Sequence, residues 1–243
     1  MSLLATFHNA ESVQPPCQFA AEWQPAPHSR RGELHCPIDG RDVRVVWELA
    51  GRTDAPLLIV AGGINEGSHV CSNDLDVVAG WWQAHAALLG RYRVLAIDWL
   101  ENGSTAAQAD AIAAVCKALG LPPARAFIGA SYGALVGLQF AARHVRLAER
   151  VIAISGAHSL CAQQWGKAGI GIADHALCPE TIAVPLSVIA VEGDTLAPAK
   201  TLAELAVRAP NAWLQKIASA HGHAAYLKET TAIAAAINTA LDD

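Results

Sequence analysis

The amino-acid sequence predicts an α/β fold in which helices cover both faces of a mostly parallel sheet of about eight strands. Short apolar runs, each suited to a buried strand, alternate along the chain with segments of helical periodicity. Hydrophobic residues make up 53% of the 243 residues and charged residues 16%, a composition that excludes a disordered chain. This length is sufficient to bury a sizeable core. We therefore expect a single α/β domain.

The first 31 residues are expected to form an irregular arm, and residues 32–243 to form the domain. Prolines at positions 15, 16, 25 and 27 and the pair Arg30-Arg31 interrupt any periodicity in the arm. The domain is predicted to open with a hairpin. Its strands, residues 32–38 and 43–50, flank Asp39-Gly40, a dipeptide typical of tight turns.

Strands and helices alternate after the hairpin. The predicted strands are residues 57–63, 93–99, 125–129, 151–155, 186–192 and 213–218. The predicted helices are residues 104–119, 133–144, 198–208 and 228–241. Ser104 is expected to cap the first of these helices, and Gly120 to lie just past its end. Ile233, Ile237 and Leu241 give the last helix an apolar stripe.

Charge and cysteine usage exclude several functional classes. A net charge of −5 provides no basic surface of the kind that binds DNA or RNA. The uncharged stretch 126–142 contains three glycines around Ser131 and Tyr132, which favours a buried strand, turn and helix over a membrane span. Six cysteines, at positions 17, 36, 71, 116, 161 and 178, stand singly without a C-x-x-C pair. With no recognisable secretory leader, we expect reduced thiols in a cytoplasmic protein.

The segment Gly129-Ala130-Ser131-Tyr132-Gly133 carries the strongest chemical signal. It is a G-x-S-x-G pattern, with an apolar strand before it and an apolar helix after it. A serine on such a sharp turn projects its hydroxyl above the edge of the sheet, and the flanking glycines allow close backbone approach. The N-terminus of the following helix supplies a positive dipole for a developing oxyanion. Ser131 is therefore predicted to be a nucleophile.

A serine nucleophile needs a base that is oriented by an acid, and in sites of this type both follow the serine in the order acid, then histidine. Asp194 comes directly after the predicted strand 186–192, at the sheet edge where Ser131 is expected. Glu192, two residues before Asp194, would point to the other side of the sheet from it only if the strand bent there. Asp98 ends an earlier strand and precedes the serine, so Asp194 is the predicted acid.

His221 and His223 are both candidates for the base, because each lies between the last strand and the last helix. The pair could begin a metal site, but no third ligand stands at a convincing spacing, and no metal or other cofactor is expected. The predicted oxyanion hole needs two backbone N–H donors. Tyr132, directly after the nucleophile, supplies one, and Ile64, in the turn after strand 57–63, supplies the other, with Asn65 as the alternative.

These residues resemble the homoserine O-acyltransferase branch of the α/β-hydrolase superfamily, which includes homoserine O-acetyltransferases and O-succinyltransferases. The matching segments run over most of the chain: Ala61-Gly62-Gly63-Ile64, Gly80-Trp81-Trp82, Ile97-Asp98-Trp99-Leu100, Asn102-Gly103-Ser104-Thr105, Gly129-Ala130-Ser131-Tyr132-Gly133, Ile154-Ser155-Gly156-Ala157-His158 and Gly222-His223-Ala224-Ala225-Tyr226-Leu227-Lys228-Glu229. The tryptophan pair and the Gly-His segment are more specific than the serine motif. In this family the histidine of Gly-His is the base, which selects His223.

The resemblance implies a double-displacement reaction. Ser131 would take an acyl group from acetyl-CoA or succinyl-CoA, and the acyl-enzyme would pass it to the hydroxyl of homoserine, a first step of methionine synthesis. Small-molecule substrates are therefore the expected partners. Asn65, Trp81 and Lys167 are the candidate substrate-binding residues, and one of the two adjacent tryptophans is expected in the core. Monomer and dimer both remain open.

The chain also departs from the family pattern. A short glycine-containing segment, residues 161–184, stands where the family inserts a long helical lid that excludes water. Ala224 follows the histidine, where the family usually has an aspartate, and Lys167 is the nearest cation to the position of the family's substrate-binding arginines. Without a lid, water competes with the acceptor for the acyl-enzyme. An esterase or thioesterase is therefore the alternative activity, and a non-catalytic relative is a third possibility.

Overall fold

Eight strands form one continuous sheet in the computed structural model, which describes residues 28–159, 175 and 177–242. The strands are β1 (Arg30–Ile38), β2 (Arg41–Ala50), β3 (Leu57–Ala61), β4 (Arg93–Ile97), β5 (Ala126–Ala130), β6 (Val151–Ile154), β7 (Leu186–Val191) and β8 (Ala212–Ile217). Their order in the sheet is β1-β2-β4-β3-β5-β6-β7-β8. β2 is antiparallel to β1 and β4, and all other neighbours are parallel. The predicted mostly parallel sheet is confirmed.

The hairpin β1–β2 turns at the predicted dipeptide. Asp39 has φ 49° and Gly40 has φ 72°, as expected for a two-residue turn in which both central residues have positive φ. β1 begins at Arg30, two residues earlier than the sequence predicts. The reason is that the ladder continues to the pair Arg31 and Glu48, whose side chains also form an ion pair. The rest of the predicted arm, residues 1–27, lies outside the described residues.

Helices cover both faces of the sheet. They are α1 (Ala86–Leu89), α2 (Thr105–Ala118), α3 (Tyr132–Arg143), α4 (Ala199–Arg208), α5 (Ala225–Lys228) and α6 (Thr230–Asp242). α2, α3 and α4 bury one face, and α1, α5 and α6 bury the other. β5 shows the alternation that this needs, because Phe127 belongs to the first core and Ile128 to the second. Within the described ranges, no helix is both long and apolar enough to cross a membrane.

The helix termini largely follow the sequence signals. Ser104 Oγ accepts a hydrogen bond from the Ala107 N–H at 3.1 Å, and Gly120 adopts φ 59° after α2. The predicted helix 228–241 is corrected at its start, because the chain forms the short helix α5 and then begins α6 at Thr230. α1 was not predicted, since four residues are too few for a helical period. Single 3-10 turns occur at Gln83–His85, Pro179–Thr181 and Gly222–Ala224.

The carboxyl ends of the parallel strands meet at one edge of the sheet, and this edge carries the predicted chemistry. The turn after β3 (residues 62–66, the β3 turn) and Ser131 after β5 are neighbours there, because β3 and β5 pair directly. Asp194 follows β7, and the turn containing His223 (residues 221–224, the histidine turn) follows β8. Of the segment 161–184 that was predicted to replace a lid, residues 161–174 and 176 lie outside the described residues.

Candidate active site

Ser131 occupies the sharp turn between β5 and α3. Its backbone has φ 55° and ψ −117°, a conformation rare for residues with a side chain. A Cβ on Gly129 would lie 2.2 Å from the carbonyl oxygen of Gly133, and a Cβ on Gly133 would lie 2.1 Å from that of Ala61. The Gly133 N–H also donates to the Gly62 carbonyl at 2.7 Å. Close backbone approach on both sides therefore requires the two glycines of the motif.

Ser131, His223 and Asp194 form a continuous chain of hydrogen-bonded side chains. Ser131 Oγ lies 2.7 Å from His223 Nε2, and His223 Nδ1 lies 2.8 Å from Asp194 Oδ2. Because a carboxylate only accepts hydrogen bonds, the histidine proton belongs on Nδ1, which leaves Nε2 to accept from the serine hydroxyl. Ser131 is 4% exposed, and the side chain of Asp194 is fully buried. The arrangement can therefore remove the proton of the serine hydroxyl and return it to a leaving group.

Backbone groups hold the buried carboxylate of Asp194 in place. Its Oδ1 accepts hydrogen bonds from the N–H groups of Leu196 and Ala197, each at 2.9 Å. The two rival acids lie elsewhere. Glu192 is exposed, and Asp98 Oδ1 accepts from the Ser68 N–H at 2.7 Å. Of the three carboxyl groups considered from the sequence, the structure brings only Asp194 to the histidine.

The histidine turn directs one of its two imidazoles to the serine. Gly222 has φ 52°, so the chain reverses between the two histidines at a residue that tolerates this conformation. His223 faces Ser131, whereas His221 is exposed and its Nε2 lies 3.9 Å from Glu229 Oε1. The His221 N–H donates to Ser219 Oγ at 2.9 Å, which anchors the start of the turn.

Tyr132 and Ile64 carry the two backbone N–H groups that are predicted to form the oxyanion hole. Tyr132 is the first residue of α3, so its N–H lies at the positive end of the helix dipole. Ile64 lies in the β3 turn, next to the end of β5. In the part of the chain that the structure describes, neither N–H donates to a backbone carbonyl. Asn65, the alternative to Ile64, is exposed.

Side chains that the sequence argument did not single out support the β3 turn. Trp99 Nε1 donates to the Gly63 carbonyl at 2.8 Å, and the N–H of Glu66 donates to the same carbonyl at 3.1 Å. The ring of Trp99 packs edge-on against Tyr132, with centroids 4.9 Å apart. Trp99 lies within a segment that matches the family, but its position beside Gly63 depends on a contact between distant parts of the chain, which periodicity does not show.

A cavity of about 530 Å³ opens beside the β3 turn. Asn65 and Trp81, two of the three predicted substrate-binding residues, line it together with Glu66 and Asp98. The third predicted residue, Lys167, lies outside the described residues. Trp81 is partly buried, and it stacks on the core residue Trp82 with ring centroids 5.2 Å apart.

Other groups with reactive chemistry do not join this site. Burial, reinforced by the charge of Glu48, raises the pKa of Cys71 to about 12, which makes its thiol a poor nucleophile. Cys161 lies outside the described residues. Over residues 28–159, 175 and 177–242, no group of three or more His, Cys, Asp or Glu side chains could hold a metal ion.

Comparison with known proteins identifies sequences that are similar to this chain. A family model described as the alpha/beta hydrolase fold matches residues 56–168. A homoserine O-succinyltransferase from Xanthomonas campestris pv. campestris is 31% identical over 313 aligned positions, which cover 89% of this chain and 85% of the relative. Since the chain has only 243 residues, at least 70 of those positions have no counterpart in it. The relative is therefore substantially larger, even though the match runs over most of this chain.

Solved structures agree with the observed architecture. A homoserine O-acetyltransferase from Bacillus anthracis superposes with a TM-score of 0.73 at 12% identity, covering 89% of this chain and 98% of that one. The esterase E22 superposes with a TM-score of 0.70 at 13% identity, covering 88% of this chain and 99% of that one. At such low identity, these similarities establish the fold and do not discriminate between transfer and hydrolysis.

Proposed function

Because the chain belongs to the homoserine O-acyltransferase branch of the α/β hydrolases, we propose that it transfers an acyl group from acyl-CoA to the hydroxyl of homoserine through an acyl-enzyme on Ser131. The observation that carries the proposal is the hydrogen-bonded chain from Ser131 through His223 to buried Asp194. A relative that is 31% identical to this chain is a homoserine O-succinyltransferase. The acyl group itself, acetyl or succinyl, is the open choice within this reaction.

The first half-reaction would load the serine. Ser131 Oγ attacks the thioester carbonyl while His223 Nε2 removes the hydroxyl proton, and Asp194 stabilises the resulting imidazolium through Nδ1. Collapse of the tetrahedral intermediate breaks the carbon–sulfur bond. The proton on Nε2 passes to the sulfur, so that CoA leaves as the thiol and the acyl group remains on Ser131.

The developing oxyanion needs donors that are in place before the reaction begins. We assign this role to the N–H groups of Tyr132 and Ile64, because both lie beside the serine and neither donates to a backbone carbonyl within the described residues. The dipole of α3 adds a favourable field at Tyr132. Four further hydrogen bonds support the site: Trp99 Nε1 and the N–H of Glu66 donate to the Gly63 carbonyl, and the N–H groups of Leu196 and Ala197 donate to Asp194 Oδ1.

The second half-reaction would use the acceptor in place of CoA. The homoserine hydroxyl gives its proton to His223 Nε2 and attacks the ester carbonyl, and the same proton then returns to Ser131 Oγ as the ester bond breaks. Asn65 and Trp81, which line the cavity beside the β3 turn, remain the proposed contacts for the small-molecule substrates, although none of Ser131, Asp194 and His223 lines that cavity. No cofactor is needed for either step. A cytoplasmic location, where acyl-CoA is available, remains part of the proposal.

Steady-state measurements distinguish transfer from hydrolysis. Purified protein is mixed with acetyl-CoA or succinyl-CoA, with and without homoserine, and both thiol release and O-acylhomoserine are followed. The proposal predicts that homoserine increases thiol release in step with product, and that Ser131→Ala abolishes both. Equal thiol release with and without homoserine would instead establish a thioesterase. No thiol release above the Ser131→Ala background would contradict both activities.

A further inference from the structure

A side-chain contact links the β3 turn to the histidine turn. Glu66 is the last residue of the β3 turn, and Tyr226 lies in α5, three residues after His223. The hydroxyl of Tyr226 donates to Glu66 Oε1 at 3.3 Å, which joins two residues that are 160 positions apart in the chain. The contact therefore connects the segment that carries one candidate oxyanion donor with the segment that carries the candidate base.

Both partners are held in place by other contacts. Tyr226 is 6% exposed, and its carbonyl accepts a hydrogen bond from Trp82 Nε1 at 2.8 Å. Its ring lies edge-on to the imidazole of His223, with centroids 6.1 Å apart. Glu66 closes the β3 turn through its own N–H, which donates to the Gly63 carbonyl at 3.1 Å. The backbones of both residues are therefore anchored by hydrogen bonds.

The pair also packs directly against the backbone that precedes Ile64. A Cβ added to Gly63 would lie 2.3 Å from Glu66 Oε2 and 2.7 Å from the Tyr226 hydroxyl oxygen. Gly63 therefore leaves the space that the pair occupies. A displacement of either side chain would change the packing against Gly63 and would therefore alter the backbone position of the next residue, Ile64.

The tyrosine acts as the hydrogen-bond donor of the pair. Burial and then the neighbouring charge of Glu66 raise the pKa of Tyr226 above its ordinary value, so the phenol keeps its proton at neutral pH. The phenol can therefore donate to the Glu66 carboxylate, and at 3.3 Å this hydrogen bond is long for one between two oxygens.

The sheet itself cannot set the distance between these two turns. β3 and β8 do not pair, because β5, β6 and β7 lie between them. Each intervening strand is twisted relative to its neighbour, so variations in twist accumulate between β3 and β8 and change the distance between the two turns. A direct hydrogen bond between side chains at this edge of the sheet limits how far the distance between the two turns can vary.

We propose that Glu66 and Tyr226 are a positioning pair, which holds the Ile64 N–H and His223 Nε2 in the relative geometry that a single tetrahedral intermediate requires. The inference rests on the proposed function, because it assigns Ile64 and His223 their parts in acyl transfer. Neither member of the pair touches the reacting atoms. They affect how accurately the Ile64 N–H and His223 Nε2 are placed around the tetrahedral carbon of the intermediate.

Acylation of Ser131 by p-nitrophenyl acetate tests the pair without requiring the natural donor or acceptor. Tyr226→Phe removes the hydrogen bond and is expected to lower the rate of the nitrophenolate burst by about tenfold, with KM changed by less than about twofold. Glu66→Ala should lower the burst rate by the same factor, whereas its KM is not used as a readout because Glu66 also lines the cavity beside the β3 turn. Glu66→Gln keeps an oxygen acceptor and should recover most of the loss. The double variant Glu66→Ala/Tyr226→Phe should be no slower than either single variant, because both remove one interaction.

A second readout separates positioning from a general loss of structure. Affinity for a trifluoromethyl ketone, which forms a tetrahedral adduct with the serine, should fall in parallel with the burst rate. Tyr92→Phe is the matched control, since Tyr92 lies at the amino end of β4, on the opposite edge of the sheet. It should leave the burst rate and the inhibitor affinity unchanged.

Three results would overturn the positioning role. These are unchanged burst rates in Tyr226→Phe and Glu66→Ala, additive losses in the double variant, or a lower melting temperature with unaltered affinity for the trifluoromethyl ketone. Failure of the proposed function gives a different result, because the wild-type protein would then show no burst above the Ser131→Ala background.

Discussion

In the proposed mechanism, Asp194 sets which nitrogen of His223 takes the proton from the serine. Its carboxylate faces Nδ1, while the N–H groups of Leu196 and Ala197 occupy Oδ1. An amide at this position could keep the size of the side chain but would present its donor group to the ring. The histidine would then carry its proton on Nε2, facing the serine.

Asp194→Asn is therefore expected to lower kcat by about 10³- to 10⁴-fold while the protein remains folded. Thiol release from acyl-CoA measures the rate, and circular dichroism checks the fold. Glu192→Gln is the matched control, because Glu192 is the neighbouring acid, is exposed and does not reach the histidine. Comparable losses in both variants would show that Asp194 has no special role.

The elements that carry the site depend on ordinary local signals. α2 begins with a side-chain cap, since Ser104 Oγ accepts from the Ala107 N–H. The residue before the cap, Gly103, accepts a hydrogen bond at its carbonyl from the hydroxyl of Tyr132 at 3.3 Å. The start of α2 is thus tied to the first turn of α3, directly after the serine.

Ser104→Ala is expected to lower the free energy of unfolding by about 1 kcal/mol, because it leaves an N–H of the first turn without its acceptor. Ser104→Asp supplies a carboxylate acceptor and should restore most of that loss. Urea denaturation monitored by circular dichroism measures both. Equal stability of the alanine and wild-type proteins would contradict the cap.

Features with a local cause could be predicted at this scale. The turn at Asp39-Gly40, the cap at Ser104 and the alternating burial of β5 each depend on a few neighbouring residues. The break between α5 and α6 was not predicted, because the four residues of α5 are too few to show a helical period and its last residue, Lys228, is the start of the predicted final helix. The contact between Glu66 and Tyr226 could not be predicted either, since it requires the ends of β3 and β8 to be placed in space first.

Two buried histidines influence how the whole molecule responds to acid. Burial lowers the pKa of His85 to about 4, and only the backbone of Tyr226 opposes this shift. Burial also lowers the pKa of His175 to about 4, although its Nε2 donates to the Ala157 carbonyl at 2.9 Å. Both side chains therefore stay neutral in the folded protein at pH values where they would be charged in the unfolded chain.

The sign of the pH dependence follows from these shifts. In the unfolded chain a histidine titrates near pH 6.5, so between about pH 6.5 and pH 4 the unfolded state binds the proton and the folded state does not. The free energy of unfolding falls as the pH is lowered through this window, by up to about 2 kcal/mol per histidine at pH 5. Above pH 6.5 neither residue contributes to the pH dependence.

His85→Leu should therefore flatten the fall in stability between pH 7 and pH 5 relative to the wild-type protein. Comparing the change across pH, rather than stability at one pH, removes the packing effect of the substitution. Leu89→Ala is the control, because it disturbs the same buried core without removing a titratable group, and its slope should match that of the wild type. Identical slopes for His85→Leu and the wild type would contradict a depressed pKa for His85.

The family identification made from the sequence is confirmed, and the eight-stranded sheet holds Ser131, Asp194 and His223 together within 243 residues. At least 70 aligned positions of the homoserine O-succinyltransferase have no counterpart here. The acyl-enzyme can pass its acyl group to an acceptor or lose it to water. Which of these happens decides between acyl transfer and hydrolysis.

Mass spectrometry of the intact protein, quenched at short times after mixing with acyl-CoA, measures that fate most directly. The account predicts that the wild-type protein gains the mass of one acyl group on Ser131, that Ser131→Ala gains none, and that homoserine speeds discharge of the adduct well beyond its loss in buffer. Absence of the adduct, or discharge at the same rate with and without homoserine, would contradict acyl transfer through Ser131.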